Sequence, residues 1–302
     1  MSVCCFGAIH LDTLAHATRE VLRETSTPAA FSSRPGGVAT NVARALLRLG
    51  VPVSLVGALG DDAEGRTLLE RLADEGVDVR PAICPGVPTG RYIAIHDPDG
   101  SLPAAVVDGR ITDGLAVDAL DEALPAAASA RLWFLDANLP APLLERLASA
   151  AGERRLAADT VSRAKAGRLR ALLPRLDLLF CNRAEAAALT GHDEQEPLPD
   201  PEVLARTLRA AGLRACCLSD GAAPLLLMEG GDIARLDVEV EPGAVRDVTG
   251  AGDALISGTL AGLDHGRDLR GAVAAGLRAA ALTLRCDGAV AATLSWPAIA
   301  DG

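Results

Sequence analysis

The stretch that decides the fold is DVTGAGDALISGTLAG, residues 247–262. Small residues precede an apolar run, and Thr249 is the expected N-cap, so the sequence predicts a short turn that opens a helix. Gly250, Ala251 and Gly252 carry almost no side chain, which allows several backbone N–H groups to converge on one point. Free amides and the positive end of the helix dipole both favour an anion there.

Asp253 is the only acid in the first turn of this predicted helix. A carboxylate beside an amide tip repels a resting phosphate. It is useful where a proton must be removed while negative charge builds up on a phosphoryl group in transfer. The alternative is an acid that only stabilises its own helix, and an isolated glycine-rich turn would favour that interpretation.

The composition indicates a globular protein that binds small molecules. The chain has 302 residues, of which 49% are hydrophobic and 2% aromatic, enough for one large α/β domain but poor in rings that stack on bases. A formal net charge of -11 and a pI of about 5.0 argue against nucleic-acid and anionic-membrane partners. We therefore expect no nucleic acid and no membrane among its partners.

Several features predict a cytoplasmic protein. The N-terminal apolar run is too short for a signal peptide, and no stretch approaches the roughly 20 apolar residues that span a bilayer. The seven cysteines lack CxxC spacing and fall in apparent strands, which is typical of small core residues in a reducing compartment. The five histidines show no zinc-binding spacing.

Two nucleotide-binding motifs are absent. The only lysine, Lys165, is followed by Ala166, so the Gly-Lys-Ser/Thr of a P-loop cannot form. No GxGxxG occurs, which argues against a dinucleotide-binding dehydrogenase. We interpret Asp159 and Lys165 as a surface ion pair.

Short apolar strands alternate with helical segments, which predicts a three-layer α/β/α domain with a mainly parallel central sheet. Predicted strands are residues 3–9, 53–59, 131–135, 156–158, 176–181 and 215–218, and a hairpin of 225–228 and 233–238 ends the sheet. Helices are predicted after Gly36-Gly37, after Asp61-Asp62, which we take as cap residues, and at about 250–263 and 269–284. Residues 91–96 and 101–107 form a second hairpin around the turn Asp97-Pro98-Asp99-Gly100.

Residues 247–262, together with PGGVATNVARALLRLG at 35–50, resemble the two signatures of the ribokinase-like, or PfkB-type, carbohydrate and nucleoside kinases. The resemblance implies one kinase domain over residues 1–302 that uses ATP and Mg²⁺. Asp253 would act as general base, with Gly250, Ala251 and Gly252 holding the transferring phosphate. It also implies a small β-sheet lid from about 10–33 and 89–108, through which two copies would form a homodimer.

The resemblance also assigns the acceptor side of the site. Asp12 follows the first strand, where ligands bind in open α/β sheets, and matches an Asp that holds sugar hydroxyls in the family. Many relatives carry Asn at the position of His10. Gly36 and Gly37 permit close approach of a ligand, and Asn41 offers it both a donor and an acceptor. Asn138 is an additional predicted substrate contact.

On the nucleotide side, Asn182 and Glu185 match the NxxE motif, in which Glu185 is associated with Mg²⁺ through water. The alternative is an Asn cap with Glu as its capping-box partner. Ser219 and Gly221 match a nucleotide-binding turn whose second glycine is here Pro224. Gly288 resembles a late Gly-Ala turn near the base. The predicted cofactor contacts also include Thr249, and together with Asp247 the loop carbonyls at this place could hold K⁺.

Four further stretches resemble pseudouridine kinases within this family. They are TGRYIAIHDPDGSLPAAVVDG at 89–109, LDANLP at 135–140, ADTVSRAKAGR at 158–168 and CNRAEAAALTG at 181–191. The resemblance implies phosphorylation of the 5′ hydroxyl of pseudouridine. The alternatives are a ribokinase, a fructokinase or another nucleoside kinase, and, from a different class, a sugar or nucleoside sensor that has lost turnover.

Overall fold

Strands and helices alternate along most of the computed structural model, which describes residues 2–193, 195–237 and 245–300. The strands within these ranges are β1 (Val3–Phe6), β2 (His10–Ala17), β3 (Ala29–Gly36), β4 (Val53–Gly60), β5 (Asp78–Cys84), β6 (Gly90–His96), β7 (Ala104–Asp108), β8 (Leu132–Asp136), β9 (Arg155–Asp159), β10 (Leu178–Asn182), β11 (Ala215–Ser219), β12 (Leu225–Glu229) and β13 (Asp232–Leu236). The helices are α1 (Val38–Arg48), α2 (Ala63–Asp74), α3 (Arg110–Asp113), α4 (Leu124–Ala127), α5 (Ala141–Ala150), α6 (Arg163–Ala166), α7 (Arg183–Thr190), α8 (Pro201–Ala210), α9 (Ala251–Asp264), α10 (Leu269–Leu284) and α11 (Trp296–Ala300), with 3₁₀ segments at Asp121–Ala123 and Gly167–Arg175.

The central sheet has nine strands in the order β13-β12-β11-β10-β9-β8-β1-β4-β5. Neighbouring strands from β11 to β5 in this order pair in parallel. At the other edge, β12 pairs antiparallel with β11 and β13 pairs antiparallel with β12. These pairings confirm the predicted sheet and its terminal hairpin. Val238, at the end of the last predicted strand, lies outside the described residues. Strand β5 was not predicted, because Asp78, Arg80 and Pro81 interrupt its apolar pattern.

Two apolar cores flank the central sheet. Cys4 and Phe6 of β1 face the core under α5, α7 and α8, whereas Val3 and Cys5 face the core under α1, α2, α9 and α10. This alternation is the period of a strand covered on both faces. The three-layer prediction is therefore confirmed.

A separate four-stranded sheet has the order β3-β2-β6-β7 and is called the small sheet below. Its strands fall within or close to the predicted stretches 10–33 and 89–108. Asp12 pairs in register with Arg34 on one side and with Tyr92 on the other, so these three residues share one face. The predicted turn is present, with Gly100 N donating to Asp97 O at 2.9 Å.

Of the two acidic residues predicted to cap α2, one does so. Asp62 accepts a hydrogen bond from Gly65 N at 2.7 Å and is the N-cap of α2, as predicted. Asp61 does not cap the helix; it forms an exposed ion pair with Arg66 at 3.2 Å. No helix in the described part of the chain is long and apolar enough to cross a membrane.

Candidate active site

The glycine-rich turn before α9 forms a helix tip without a side-chain cap. Gly250 is the N-cap, with φ of 78°, so the prediction that Thr249 caps the helix is wrong. A left-handed backbone at this position suits glycine, and it turns the Thr249 side chain out of the capping position. Instead, Thr249 N donates to Asp247 Oδ1 at 2.8 Å.

The amide tip of α9 opens to a cleft and is not covered by core leucines. Ala254 N bonds to Gly250 O at 2.8 Å, whereas the N–H groups of Gly252 and Asp253 find no backbone acceptor in the described chain. Gly252 is exposed. Two oriented donors are therefore available to an anion at this tip.

Asp253 projects from the first turn of α9 towards α1. Asn41 Nδ2 donates to Asp253 Oδ2 at 2.8 Å, which joins the two sequence signatures in one site. Burial raises the pKa of Asp253 to about 7; the Asn41 donor opposes this rise, and the charges of Asp136 and Asp12 add to it. A carboxyl group that titrates near neutral pH can accept a proton from an alcohol and release it afterwards.

The acceptor side of the site contains buried polar atoms without partners. Asn41 is 5% exposed and its Oδ1 has no hydrogen-bond partner, and the same holds for Nε2 of His10, also 5% exposed. Each such atom costs about 1–3 kcal/mol when left unpaired, so this pattern favours a polar ligand. Burial lowers the pKa of His10 to about 4, and the nearby Lys165 charge adds to this effect, which keeps the imidazole neutral.

Asp12 lies against Gly36 on the inner end of β2. Burial raises its pKa to about 6, whereas the charges of Arg34 and Arg44 oppose the rise. The glycine pair, Asp12 and Asn41 therefore come together as the sequence predicts. Gly37 is the N-cap of α1.

Asp136 organises this region; the sequence places it after a strand on the ligand side but assigns it no role. It is fully buried at the end of β8, and it accepts from Ala8 N at 3.1 Å, Ala39 N at 3.0 Å and Asn138 N at 2.9 Å. Burial raises its pKa against the effect of these donors. The carboxylate ties the end of β1 to the start of α1. The signal in the sequence that could have identified Asp136 is an acid at the end of an apolar strand.

The predicted surface ion pair between Asp159 and Lys165 does not form. Lys165 Nζ donates to Asn138 Oδ1 at 2.6 Å, and Asp159 Oδ1 accepts from Val161 N at 2.8 Å. Lys165 is half-buried, and burial lowers its pKa. Asn138, the predicted substrate contact, is thus held by Asp136 through its backbone and by Lys165 through its side chain.

The NxxE motif forms a capping box, as the structural alternative predicts. Glu185 N donates to Asn182 Oδ1 and Asn182 N to Glu185 Oε2, both at 2.9 Å, and Thr160 Oγ1 donates to the same Oε2 at 2.6 Å. Burial raises the pKa of the neighbouring Asp159 well above its usual range, and the charges of Glu185 and Asp253 add to this effect.

These acids border a cavity of about 170 Å³ that also reaches Ser219 and Gly252. No group of three metal-binding side chains occurs in the described residues, and this cavity offers the carboxyl groups of Asp159 and Glu185. Mg²⁺ commonly binds in this way, through one or two carboxylates and substrate phosphates. The donor set therefore fits a hydrated Mg²⁺.

The remaining predicted cofactor residues do not all line one cavity. Thr249, Gly288 and Asp247 line a second cleft of about 740 Å³ beside the small sheet, whereas Gly221 lines neither cavity. Asp247 accepts from Gly288 N at 3.1 Å as well as from Thr249 N, so it ties the two loops together. A third cavity, of about 790 Å³, lies at the amino-terminal edge of the strands and contains none of the predicted site residues.

Comparison with known proteins places the chain in a family. The model of the pfkB family carbohydrate kinases matches residues 1–296. The pseudouridine kinase of Escherichia coli (strain K12) is 28% identical over 265 aligned residues, which cover 85% of this chain and 82% of that protein. A solved carbohydrate kinase from Agrobacterium tumefaciens is 32% identical with a TM-score of 0.85, covering 99% of this chain and 96% of that one. A putative ribokinase II from E. coli, solved with ATP and Mg²⁺, has a TM-score of 0.82 at 19% identity, covering 99% and 97%. The chain therefore belongs to the pfkB family of carbohydrate kinases, phosphotransferases with an alcohol acceptor.

Proposed function

We propose that this protein transfers the γ-phosphoryl group of ATP to the primary 5′ hydroxyl of a ribosyl substrate, and that this substrate is pseudouridine. One observation carries the reaction type. Asp253, with a pKa of about 7, stands beside the open amide tip of α9 and within hydrogen-bond distance of Asn41. A base and an oxyanion-binding group at one point are what an attacking alcohol requires.

The proposed reaction uses each of these groups once. The acceptor hydroxyl gives its proton to Asp253 as its oxygen bonds to the γ-phosphorus, and the bond to the bridging oxygen of ADP breaks. The N–H groups of Gly252 and Asp253 stabilise the charge on the phosphoryl oxygens. Asp12, Asn41 and Asn138 orient the acceptor. Holding the reactants in line supplies much of the rate acceleration, so no P-loop is needed.

Glu185 and Asp159 would hold the water shell of Mg²⁺, because both carboxyl groups border the cavity beside the amide tip. When bound, the ion would neutralise phosphate charge. A K⁺ ion at Asp247 stays a prediction, and initial rates in KCl and in choline chloride at equal ionic strength would test it.

Sequence similarity supports pseudouridine over other acceptors. The four stretches at 89–109, 135–140, 158–168 and 181–191 resemble pseudouridine kinases, and the E. coli pseudouridine kinase is 28% identical to this chain. The neutral His10, the unpartnered Asn41 Oδ1 and the Lys165–Asn138 pair provide polar groups for a hydroxylated substrate. At this identity the family determines the reaction more firmly than the acceptor.

The decisive experiment is ADP production measured with pseudouridine, uridine, cytidine, adenosine, ribose and fructose. We expect the highest kcat/KM with pseudouridine. Faster turnover of ribose or fructose would reject the acceptor assignment and retain the kinase. No phosphotransfer to any acceptor would support the sensor.

Asp253→Asn tests the catalytic base. We expect kcat to fall by about 10²–10⁴-fold, because the amide cannot accept the proton, while ATP binding measured by calorimetry changes little. Asp61→Asn, which removes an exposed ion pair with Arg66, serves as the matched control and should keep wild-type kcat. Near-normal turnover by Asp253→Asn would reject the role of the base.

A further inference from the structure

Arg34 of the small sheet has two donor atoms that the fold does not use. Its Nε and Nη2 are buried and have no hydrogen-bond partner. Arg34 stands opposite Asp12 in register, on the same face as Asp12 and Tyr92. The Nε–Nη2 edge of a guanidinium is a planar pair of donors that matches two oxygens of a phosphoryl or carboxylate group.

The Arg34 guanidinium contacts the turn that packs against the start of α9. A Cβ atom added to Gly288 would collide with Arg34 Nη1, so the guanidinium rests on the backbone of this turn. A Cβ atom added to Gly250 would in turn collide with the backbone of Ala289. The 288–289 turn therefore lies between Arg34 and Gly250. Arg34, Gly288 and Thr249 all line the cleft of about 740 Å³.

Two carboxylates lie near Arg34, and neither bonds to it. Its charge lowers the pKa of Asp12 and of Asp247, which places both groups within electrostatic range. The Asp247 oxygens instead accept from Thr249 N and Gly288 N. The Nε–Nη2 edge of the guanidinium is therefore open to a ligand.

We propose that Arg34 binds the phosphoryl group during its transfer, together with the amide tip of α9. This inference rests on the proposed function. As the acceptor oxygen bonds to the γ-phosphorus and the bond to the bridging oxygen of ADP breaks, the hydroxyl proton passes to Asp253. Arg34 remains protonated throughout and balances the charge on two phosphoryl oxygens. Because Arg34 belongs to the small sheet, transfer requires this sheet to be in place over the site.

The kinetic test compares Arg34→Met, Arg34→Lys and the control Arg19→Gln, in which an exposed arginine of the β2–β3 loop is replaced. We expect kcat with ATP and pseudouridine to fall by about 10²–10³-fold in Arg34→Met, with each KM changed by less than about threefold. Arg34→Lys should recover part of kcat, because it keeps the charge and loses the planar pair of donors. Arg19→Gln should match wild type.

A binding test separates the direct role from a structural one. Calorimetry with ADP–Mg²⁺ in the presence and absence of aluminium fluoride, a mimic of the phosphoryl group in transfer, should show tighter binding with fluoride in wild type. The tightening should be lost in Arg34→Met, with the affinity for ADP–Mg²⁺ alone unchanged. If Arg34→Met does not fold, Arg34→Lys is measured instead and should show weaker tightening than wild type, because it lacks the planar pair of donors. Equal tightening in the variant and wild type would overturn the proposal.

A phosphate group already present on the acceptor is the alternative ligand for Arg34, because it also offers two oxygens to the Nε–Nη2 edge. To test it, fructose 6-phosphate and fructose are compared as acceptors. If wild type prefers the phosphorylated sugar, and Arg34→Met raises only the KM for that sugar, Arg34 binds the acceptor and the transfer role is rejected. If wild type does not phosphorylate pseudouridine, the acceptor assignment fails, whereas the aluminium fluoride measurement still decides the role of Arg34.

Discussion

At the scale of single residues, the protonation of Asp253 results from opposing effects. Burial and the charges of Asp136 and Asp12 favour the neutral acid, whereas the hydrogen bond from Asn41 favours the carboxylate. Burial is the largest of these effects, so the pKa lies near 7. On the proposed function, the same side chain therefore influences both the rate of reaction and the stability of the fold.

The pH dependence of catalysis should report this balance. We expect log kcat/KM to rise through an apparent pKa near 7 as Asp253 loses its proton. In Asn41→Leu the donor that stabilises the carboxylate is lost, so the acid limb should move to higher pH by about one unit. Steady-state kinetics from pH 5 to 9, with circular dichroism to verify folding, would measure it. An acid limb at the same pH in wild type and variant would contradict this account.

Stability should also depend on Asp253. Between about pH 4 and 7 the native carboxyl group keeps a proton that the unfolded chain releases, so its contribution to the free energy of unfolding falls as pH rises through this window. Asp253→Asn removes this pH-dependent decrease in the free energy of unfolding. We expect similar Tm values near pH 4 and a variant Tm higher by about 2–5 °C at pH 8. Differential scanning calorimetry would show the difference, and Asp61→Asn should show none.

At the scale of secondary-structure elements, the site depends on contacts that fix helix starts. Asp136 at the end of β8 accepts from Ala8 N beyond β1 and Ala39 N in α1, so one carboxylate sets the relation between three elements. The start of α9 is fixed differently, by the 288–289 turn packed on Gly250. A small displacement at either place would move Asn41 relative to Asp253.

Gly250 and Gly266 provide a matched test of this packing. Both have φ of 78°, but a Cβ atom at Gly266 meets nothing within 4 Å, whereas one at Gly250 would overlap Ala289. Gly266→Ala should cost about 1–2 kcal/mol of backbone strain and keep wild-type kcat/KM. Gly250→Ala should be less stable than that and lose about 10²-fold in kcat/KM, because the amide tip moves. Urea denaturation and kinetics would measure both, and equal effects would contradict the packing argument.

At the scale of the whole molecule, the small sheet has two different faces. The face with Asp12, Arg34 and Tyr92 turns towards the site. The opposite face exposes Phe31 on β3 and Val106 on β7, which are 72% and 63% exposed. Apolar side chains exposed on both edge strands of this face are consistent with an interaction surface, the place where the family resemblance predicts a homodimer.

We expect wild type to be a homodimer through this outer face, and Phe31→Asp to shift it to monomer, because two carboxylates would face each other across a two-fold interface. Light scattering after gel filtration at about 10 μM would measure the mass, a concentration in the range where weak dimers associate. Val203→Asp, at a 54% exposed position of α8, is the control and should remain dimeric. A monomeric wild type would reject the prediction.

Much of the fold was predictable from the sequence. The central sheet, its edge hairpin, the helices α9 and α10 and the hairpin β6–β7 of the small sheet lie close to their predicted positions, whereas for β2 and β3 only the region 10–33 was predicted. Apolar periods and turn residues determine such elements locally. Strand β5 was missed because its stability comes from pairing with β4 and not from an apolar pattern of its own.

Long-range contacts account for the errors at the site. The Thr249 cap was wrong because the turn is shaped by packing on Ala289, and the Asp159–Lys165 pair was wrong because Lys165 reaches Asn138. The roles inferred for Asp136 and Arg34 depend on burial and on neighbours far along the chain, which no local pattern reports.

The sequence by itself determined the α/β order, the amide tip and the identity of the candidate base, because these depend on residues within a few positions of each other. Tertiary structure decided what the base can do. Asn41 lies 212 residues from Asp253, and only folding places its donor on that carboxylate and removes the pair from much of the solvent. Loss of solvation and the arrival of distant partners determine a pKa, and both exist only once the chain has folded.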